Sequence, residues 1–388
     1  MMKKFLGLLI SCLILSSCSD SSGLSDNEED GGVDGNERGF DPSNFGYKIS
    51  TFSSFQGEFF QIDVSDKGEV GETQFLSEQL GAMDVLPNLN SIDSSQITLF
   101  SNVTQAFYQK SLKTNEIKKF TIEGTGLAGP VEVKTSENSK FAAIVNHNEP
   151  DPIRRLAYNL GGEETFIFEL STNSCSSAEF FGNYLVAICG NNPISIYECI
   201  IYDTERDAIV FSYQSDDYIK VTIFQDKLYV FNTDDYTHKV FSIEDFQELE
   251  SGEFSRQWFF DFEFGRDVIK TKTFNNQILT NIDYSIFAGG RFPAIFDIDE
   301  DRYVAGDNRV FSSQDFRNAY SELIPDISNF EGYDVDMEKK VVVLGYSLQV
   351  QISSENYPKG GVLLVDFEGN ILNQIQLERA PKYIVIRE

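Results

Sequence analysis

The chain is poor in several residues on which many enzymes depend. Its 388 residues include two histidines, one tryptophan, four methionines and five cysteines. Two histidines leave almost no material for a Ser-His-Asp or Cys-His mechanism, and the sequence contains neither a GxSxG nor an HExxH motif. We therefore predict no catalytic residue, and the sequence favours a binding protein over an enzyme.

Basic residues are also scarce. The chain has 31 Lys and Arg against 61 Asp and Glu, which gives a formal net charge of −30 at pH 7. A charge of this sign repels nucleic acids and anionic lipid headgroups, so neither is predicted as a partner. The favoured interpretation is that the charge keeps an exposed protein soluble. Sites for divalent cations or cationic partners are the alternative.

The apolar run near the amino terminus is short. It extends from Phe5 to Leu15 after two lysines, and a run of this length does not span a bilayer. Residues 1–17 are therefore predicted to be a signal peptide. The sequence Leu15-Ser16-Ser17-Cys18 resembles the lipobox of bacterial lipoproteins. The resemblance implies that Cys18 carries the lipid and anchors the mature chain to the outer membrane; an ordinary secretory signal is the alternative.

Residues 18–40 are predicted to be the lipidated cysteine and a flexible acidic tether. Residues 19–39 consist largely of Ser, Gly, Asp, Asn and Glu without an aromatic residue, so they lack the apolar surface needed to fold. The acids that begin at Asp20 partly resemble the export signal of surface lipoproteins in the Bacteroidota, although Ser21 and Ser22 interrupt them. The resemblance implies display at the cell surface, with the periplasmic side of the membrane as the alternative.

Residues 46–388 are predicted to form one all-β domain. Short apolar runs alternate with polar turns, and the 34 Phe and 17 Tyr favour strands. A polar turn followed by a strand recurs, and the residues after these turns are Gln96, Lys140, Tyr184, Lys227, Gln277, Arg302 and Lys340. The first three steps agree with the 40–45-residue period of propeller blades. The short step from Gln277 to Arg302 places both residues in one irregular blade.

This pattern resembles the β-propeller superfamily. The length of the domain predicts seven blades, with six blades, eight blades or a pair of β-sandwiches as alternatives. In length and anchoring, the chain is similar to the lipoprotein propeller of the outer-membrane β-barrel assembly machine. The resemblance implies a binding or scaffolding subunit with a protein partner in an outer-membrane or cell-surface complex. A glycan-binding protein, or a glycan-active enzyme with carboxylates at the channel mouth, is the alternative.

Three cysteines follow the tether. If the chain turns at Gly182-Asn183, antiparallel pairing brings Cys175 opposite Cys189, which predicts a cross-strand disulfide and leaves Cys199 as a buried thiol. A bond between Cys189 and Cys199 is the alternative. The sequence contains no CxxC motif, so no redox catalysis is predicted.

Two stretches are candidates for contact with a ligand or partner. The first, Phe254 to Phe264, contains Trp258 and several Phe in alternation with polar residues. It is interpreted either as an aromatic platform or as a strand with one face in the core. The second is Arg154-Arg155, which is expected to be a basic spot in a long insertion between Asn146 and Gly162.

A weak calcium candidate lies in an acidic segment. Asp297, Asp299 and Asp301 alternate as the ligands of a calcium loop do, but Arg302 stands where such a loop needs glycine. An acidic hairpin turn is the favoured interpretation. No other cofactor is predicted.

Overall fold

The computed structural model describes residues 40–55, 58–81, 85–92, 95–101, 103–121, 132–137, 140–146, 154–162, 166–168, 174–191, 196–253, 272–283, 291–300, 302–305, 314–349 and 357–387. The predicted signal peptide, Cys18 and residues 19–39 of the tether lie outside these residues, as do Trp258 and Asp301. Within the described ranges, no helix is both long and apolar enough to span a membrane.

The described strands form seven sheets of four antiparallel strands each. Blade 1 contains β1 (Lys48–Phe55), β2 (Glu58–Val64), β3 (Gln74–Phe75) and, on the other side of β1, the last strand of the chain, β28 (Tyr383–Arg387). Blade 2 contains β4 (Val85–Ile92), β5 (Gln96–Ser101), β6 (Ala106–Ser111) and β7 (Ile117–Thr121). Blade 3 contains β8 (Glu132–Glu137), β9 (Lys140–Asn146), β10 (Arg154–Asn159) and β11 (Phe166–Phe168).

The next four blades follow in chain order. Blade 4 contains β12 (Ser174–Phe181), β13 (Tyr184–Asn191), β14 (Ile196–Asp203) and β15 (Ala208–Ser215). Blade 5 contains β16 (Ile219–Phe224), β17 (Lys227–Asn232), β18 (Thr237–Ser242) and β19 (Glu248–Glu253). Blade 6 contains β20 (Thr273–Phe274), β21 (Gln277–Asp283), β22 (Arg291–Asp297) and β23 (Arg302–Ala305). Blade 7 contains β24 (Ile327–Asp336), β25 (Val341–Leu348), β26 (Gly360–Asp366) and β27 (Ile371–Leu377).

Apolar cores fill the seven junctions between neighbouring blades. At the junction of blades 2 and 3, for example, Phe107 packs on Phe141 with ring centroids 4.5 Å apart. At the junction of blades 7 and 1, Val343 and Val362 share a core with Ile49. The other junctions contain equivalent clusters. Because blade 7 packs on blade 1, the sheets close into a ring, which confirms the seven-bladed propeller and rules out the pair of β-sandwiches.

The two ends of the folded domain meet in blade 1. Strand β28 pairs antiparallel with β1 from Lys48↔Arg387 to Phe52↔Tyr383, and it forms the innermost strand of the blade. The ring is therefore closed by hydrogen bonds between the amino-terminal and carboxyl-terminal parts of the domain, in addition to the apolar core.

The predicted repeat coincides with the second strand of five successive blades. Gln96, Lys140, Tyr184, Lys227 and Gln277 begin β5, β9, β13, β17 and β21. Gln277 and Arg302 belong to the same blade, as the short step between them predicted.

One hydrogen-bonded turn recurs at the end of the third strand of the blades. There a short polar side chain accepts a hydrogen bond from a backbone N–H two to four residues later, which is how Ser, Asn and Asp stabilise tight turns. The accepting residues, in blade order, are Ser65, Ser111, Asn159, Asp203, Ser242, Asp297 and Asp366. Ser, Asn and Asp perform the same role in this turn, so the blades are regular in structure although their amino-acid sequences differ.

The structure also contains helices that the sequence analysis did not predict. A 3₁₀ helix, Pro42–Asn44, begins after Asp41, whose carboxylate accepts from the Ser43 backbone N–H. Two α-helices, Leu76–Leu80 and Gln314–Leu323, lie between blades 1 and 2 and between blades 6 and 7.

Candidate functional site

The ring has two rims, because every blade is a four-stranded antiparallel meander. The segments that join one blade to the next begin and end at the same rim as the segments that join the second strand of a blade to the third. We call this side the connection rim. The hairpins that join first to second strands and third to fourth strands lie on the opposite side, which we call the hairpin rim.

The segments at the two rims differ in length. At the hairpin rim, residues 182–183, 225–226 and 275–276 suffice to join the first and second strands of blades 4, 5 and 6. At the connection rim, residues 254–272 join blade 5 to blade 6, and residues 306–326 join blade 6 to blade 7. Chain length beyond what the scaffold needs is therefore concentrated at the connection rim, around blades 6 and 7. Loops placed by a rigid scaffold are where binding residues usually lie.

The helix Gln314–Leu323 is fixed to the connection rim by aromatic packing. Phe316 and Tyr320 are buried and contact Phe330 of β24, with ring centroids 6.1 and 5.0 Å from that of Phe330. Ala319 and Glu322 are exposed on the same helix. The spacing of Phe316 and Tyr320 brings both rings to one helix face. The helix thus presents an exposed face from a fixed position.

An arginine clamp lies where the connection from blade 7 reaches blade 1. The Arg379 Cζ atom lies 3.9 Å from the ring centroid of Phe60 and 3.6 Å from that of Tyr357. Tyr357 donates a hydrogen bond of 2.7 Å to Glu58, which is the main reason that the pKa of Tyr357 is raised. The buried Nε and Nη1 atoms of Arg379 have no hydrogen-bond partner. Contact with the two ring faces is therefore the main interaction of this guanidinium.

A carboxylate links three blades at the inner end of the sheets. Asp334 lies on the innermost strand of blade 7 and is 9% exposed. Its Oδ1 atom lies 2.6 Å from Nζ of Lys272, which immediately precedes blade 6, and its Oδ2 atom accepts a 2.7 Å hydrogen bond from the backbone N–H of Ile386. Ile386 belongs to the closing strand. Asp334 therefore connects blades 6, 7 and 1 beside the point of closure.

Glu331 lies on the same innermost strand and is partly buried. Burial raises the pKa of its carboxyl group, whereas the charge of Lys382 and a hydrogen bond from Ser347 act in the opposite direction.

The predicted cysteine pair is brought together. Cys175 on β12 lies opposite Cys189 on β13, and a disulfide joins them. Both are buried between blades 3 and 4, whereas Cys199 is buried between blades 4 and 5. Burial raises the pKa of the Cys199 thiol. The thiol and the disulfide thus lie on opposite faces of one sheet.

The arginine pair does not lie in an insertion. Arg154 and Arg155 are the first two residues of β10, the third strand of blade 3, and pair with Asn146 and Val145 of β9. The expected insertion is wrong because the segment from 146 to 162 contains this strand. Because β10 begins at Arg154, this residue lies at the connection rim. Both ends of the segment 254–272, which includes Trp258, lie at the same rim.

The acidic segment of blade 6 forms a turn. The Asp297 carboxylate accepts from the backbone N–H groups of Asp299 and Glu300, both at 3.1 Å. Asp299 accepts from the side chain of Asn276, and Glu300 pairs with Arg302. Asp297 thus has the same role as its equivalents in the other blades. The described residues contain no group of three or more His, Cys, Asp or Glu arranged to hold a metal ion.

Blade 2 carries a basic stretch that is not predicted above. Lys113, Lys118 and Lys119 are exposed at the turn before β7 and on β7 itself. The segment KTNEIKK was the available signal, since it holds three lysines and one acid in a chain with twice as many acids as bases.

Comparisons with known proteins add no family. Neither a protein-family model nor a curated protein sequence matches the chain. Among solved structures, BamB from Moraxella catarrhalis is similar at 10% identity and a TM-score of 0.38, with 86% of each chain covered. A prolyl endopeptidase is similar at 10% identity and a TM-score of 0.46, with 89% of this chain and 51% of that chain covered.

A third similar structure is apo AztD from Citrobacter koseri, with 11% identity, a TM-score of 0.35 and 53% of this chain covered. The present chain spans 58% of that chain, which is less than two thirds of its length. At these identities the likenesses concern the fold alone. The propeller assignment rests on the closed ring of seven sheets.

Proposed function

We propose that this chain is a lipid-anchored binding or scaffolding propeller that holds a protein partner through its connection rim. The observation that carries the proposal is the difference between the two rims. The hairpin rim uses turns as short as residues 182–183, whereas the connection rim carries residues 254–272 and 306–326. The propeller scaffold itself needs only short turns. Long segments that are confined to one rim are therefore explained best by a role in binding.

The chemistry of the chain supports a protein partner rather than a nucleic acid or a lipid surface. The net charge of −30 repels phosphates, and it favours partners with basic surfaces by long-range attraction. The long segment that precedes blade 6, residues 254–272, contains Arg256 and Trp258. Trp and Arg are enriched among the residues that dominate protein interfaces.

The proposed anchor is a lipid on Cys18, and the acidic tether would hold the propeller away from the membrane at the cell surface. Radiolabelled palmitate supplied to cells should label the wild-type chain, and Cys18→Ser should abolish labelling and release the protein from the membrane fraction. Protease added to intact cells should digest a surface-displayed chain. Survival of the chain until the outer membrane is permeabilised would instead favour the periplasmic side.

The experiment for the binding function is affinity purification from detergent-solubilised membranes. A wild-type bait should recover a partner in a fixed ratio. Changing the exposed helix face with Ala319→Arg and Glu322→Arg should reduce recovery. The matched control, Glu244→Arg with Glu368→Arg, changes two exposed residues at the hairpin rim and should leave recovery unchanged. Recovery of the chain alone would contradict the proposal.

A second candidate function, glycan hydrolysis, is favoured by Glu331. A partly buried carboxyl group with a raised pKa keeps its proton to higher pH than an exposed one, as a general acid must. Its neighbour Asp334 is already engaged by Lys272 and the Ile386 N–H, which argues for a structural role for that carboxylate. Release of reducing sugars from a panel of polysaccharides by wild type, lost in Glu331→Gln, would establish this function; no release by wild type would exclude it for that panel.

A further inference from the structure

Most outer strands of the propeller are protected against pairing with another chain. The outer edge of a sheet exposes unpaired backbone groups, and short strands or β-bulges make such an edge a poor template. Strands β3 and β11 are short, and the pairing of β15, β19, β23 and β27 with the neighbouring strand contains a register shift in each case.

Strand β7 of blade 2 differs from the other six. It pairs with β6 in unbroken register from Ala106↔Thr121 to Lys110↔Ile117, and it is the last strand of its sheet. Ile117, Lys118, Lys119 and Thr121 are exposed, and only Phe120 is buried. A regular, exposed edge of this kind is the geometry to which extended segments add as an extra strand.

The charge of this edge is opposite to that of the molecule. Lys118 and Lys119 are consecutive, so their side chains lie on opposite faces of the sheet. Within the described part of the chain neither forms an ion pair, and Lys119 Nζ lies 5.7 Å from the ring centroid of Tyr108. On the outer strand of blade 5, by contrast, Glu248 pairs with Lys239 at 3.1 Å.

We propose that β7 is a docking edge for an extended acidic segment of a partner protein, which adds to blade 2 as a fifth strand. Its backbone would pair with β7, and carboxylates on both of its faces would meet Lys118 and Lys119. A second copy of this chain is disfavoured as the occupant, because it brings a whole second charge of −30, whereas a short acidic segment brings few charges to an edge whose own side chains are basic. Lysines on a sheet edge disfavour the addition of an uncharged strand. An acidic segment, whose carboxylates can pair with these lysines, is therefore the class of partner that fits this edge. This surface is separate from the connection rim.

A labelled peptide tests the proposal with the full chain in detergent. Fluorescence anisotropy at physiological ionic strength should show binding of a fluorescein-tagged peptide of two Glu-Glu-Val-Val repeats, which places carboxylates on both faces of a strand. Lys118→Glu with Lys119→Glu should weaken binding by about tenfold or more, and the same variant should bind a peptide of two Lys-Lys-Val-Val repeats better than wild type does. The matched control, Lys339→Glu with Lys340→Glu, makes the same charge change on blade 7 and should bind as wild type does.

Two further outcomes separate strand addition from its alternatives. Methylation of every backbone nitrogen in the Glu-Glu-Val-Val peptide should abolish binding, because an added strand donates N–H groups from one of its two edges to β7. Equal binding would overturn the proposal in favour of attraction by charge alone. Equal affinity of the β7 variant and the blade 7 control would also overturn it. Sedimentation that shows self-association of wild type, lost in the β7 variant, would replace the acidic partner by a second copy of the chain.

Discussion

Asp334 of blade 7 and Lys272, at the start of blade 6, form an ion pair with an O–N distance of 2.6 Å at the inner end of the sheets. The other carboxylate oxygen accepts from the backbone of Ile386 on the closing strand. The chain runs from blade 7 into β28, and the ring is closed by non-covalent pairing of β28 with β1. Here one side chain joins both neighbours of blade 7, next to the strand that closes the ring.

We predict that Asp334→Ala lowers the free energy of unfolding by about 1–3 kcal/mol, because it leaves the Ile386 N–H without its acceptor and removes the ion pair with Lys272, whose Nζ keeps the Val335 carbonyl. Asp334→Asn keeps an acceptor for Ile386 and should cost less. Urea unfolding followed by tryptophan fluorescence measures both. The control, Glu248→Ala, removes an exposed ion pair and should cost at most about 1 kcal/mol. Equal losses in the alanine variants would argue against a role for Asp334 in closure.

The arginine clamp predicts a distinction between three substitutions. Arg379→Ala removes contact with both rings and should destabilise the fold by about 1–2 kcal/mol. Arg379→Met retains apolar contact and removes two buried nitrogens that have no partner, so it should be less harmful than alanine. Arg206→Ala, at an exposed arginine paired with Asp203, is the control and should be nearly neutral. Methionine as harmful as alanine would show that the charge, rather than the stacking, is essential.

A buried lysine at the junction of blades 1 and 2 predicts a pH effect. Lys110 is 1% exposed, and its Nζ donates to the side-chain oxygens of Gln61, Gln74 and Gln79 at 2.9, 3.1 and 2.8 Å. Burial lowers its pKa from the ordinary value of 10.5, and the charge of Asp63 acts in the opposite direction. Between the lowered pKa and 10.5, the unfolded chain binds more protons at this site than the folded chain does.

The contribution of Lys110 to stability should therefore rise with pH in that window. Lys110→Met should lack this rise, and it should lose about 1–3 kcal/mol at neutral pH because the buried side-chain oxygen of Gln61 loses its donor. Urea unfolding at several pH values up to 10.5 compares the two proteins. Lys113→Met, at an exposed lysine of the same blade, should keep the wild-type slope. Identical slopes in wild type and Lys110→Met would contradict the lowered pKa.

Loss of the disulfide between Cys175 and Cys189 should lower the free energy of unfolding. Cys175 and Cys189 are 14 residues apart, and opening a loop of about that size costs roughly 3 kcal/mol in the chain-entropy account. Cys175→Ser with Cys189→Ser should therefore unfold at lower urea concentration. Cys199 should resist iodoacetamide in the native protein and react after unfolding, because the thiol is buried and its pKa is raised. Rapid native alkylation of Cys199 would contradict its burial.

The regular part of the fold is predictable from the sequence because each blade repeats a local pattern. The turn before Lys227 and the strand after it are specified within a few residues, and the same holds for Gln96 and Tyr184. The closing strand is not predictable in this way, since Ile386 and Ile49 pair across the whole length of the domain.

The errors have equally local causes. The helix Gln314–Leu323 was missed because Phe316 and Tyr320 are its main apolar anchors, and two aromatic residues four apart give a weak periodic signal. Arg154 and Arg155 were placed in an insertion because β10 opens with two charged residues. The Lys272–Asp334 pair joins two regions that are distant in sequence, and no sequence motif predicts this contact.

Site-specific photo-crosslinking in intact cells tests the connection rim as the binding face most directly. A benzoyl-phenylalanine residue at Ala319 or Glu322 lies on the exposed helix of that rim, and one at Glu244 or Glu368 lies at the hairpin rim. The proposed function predicts a defined crosslinked partner from the first two positions and none from the other two. A partner captured only from the hairpin rim, or from neither rim, would contradict it.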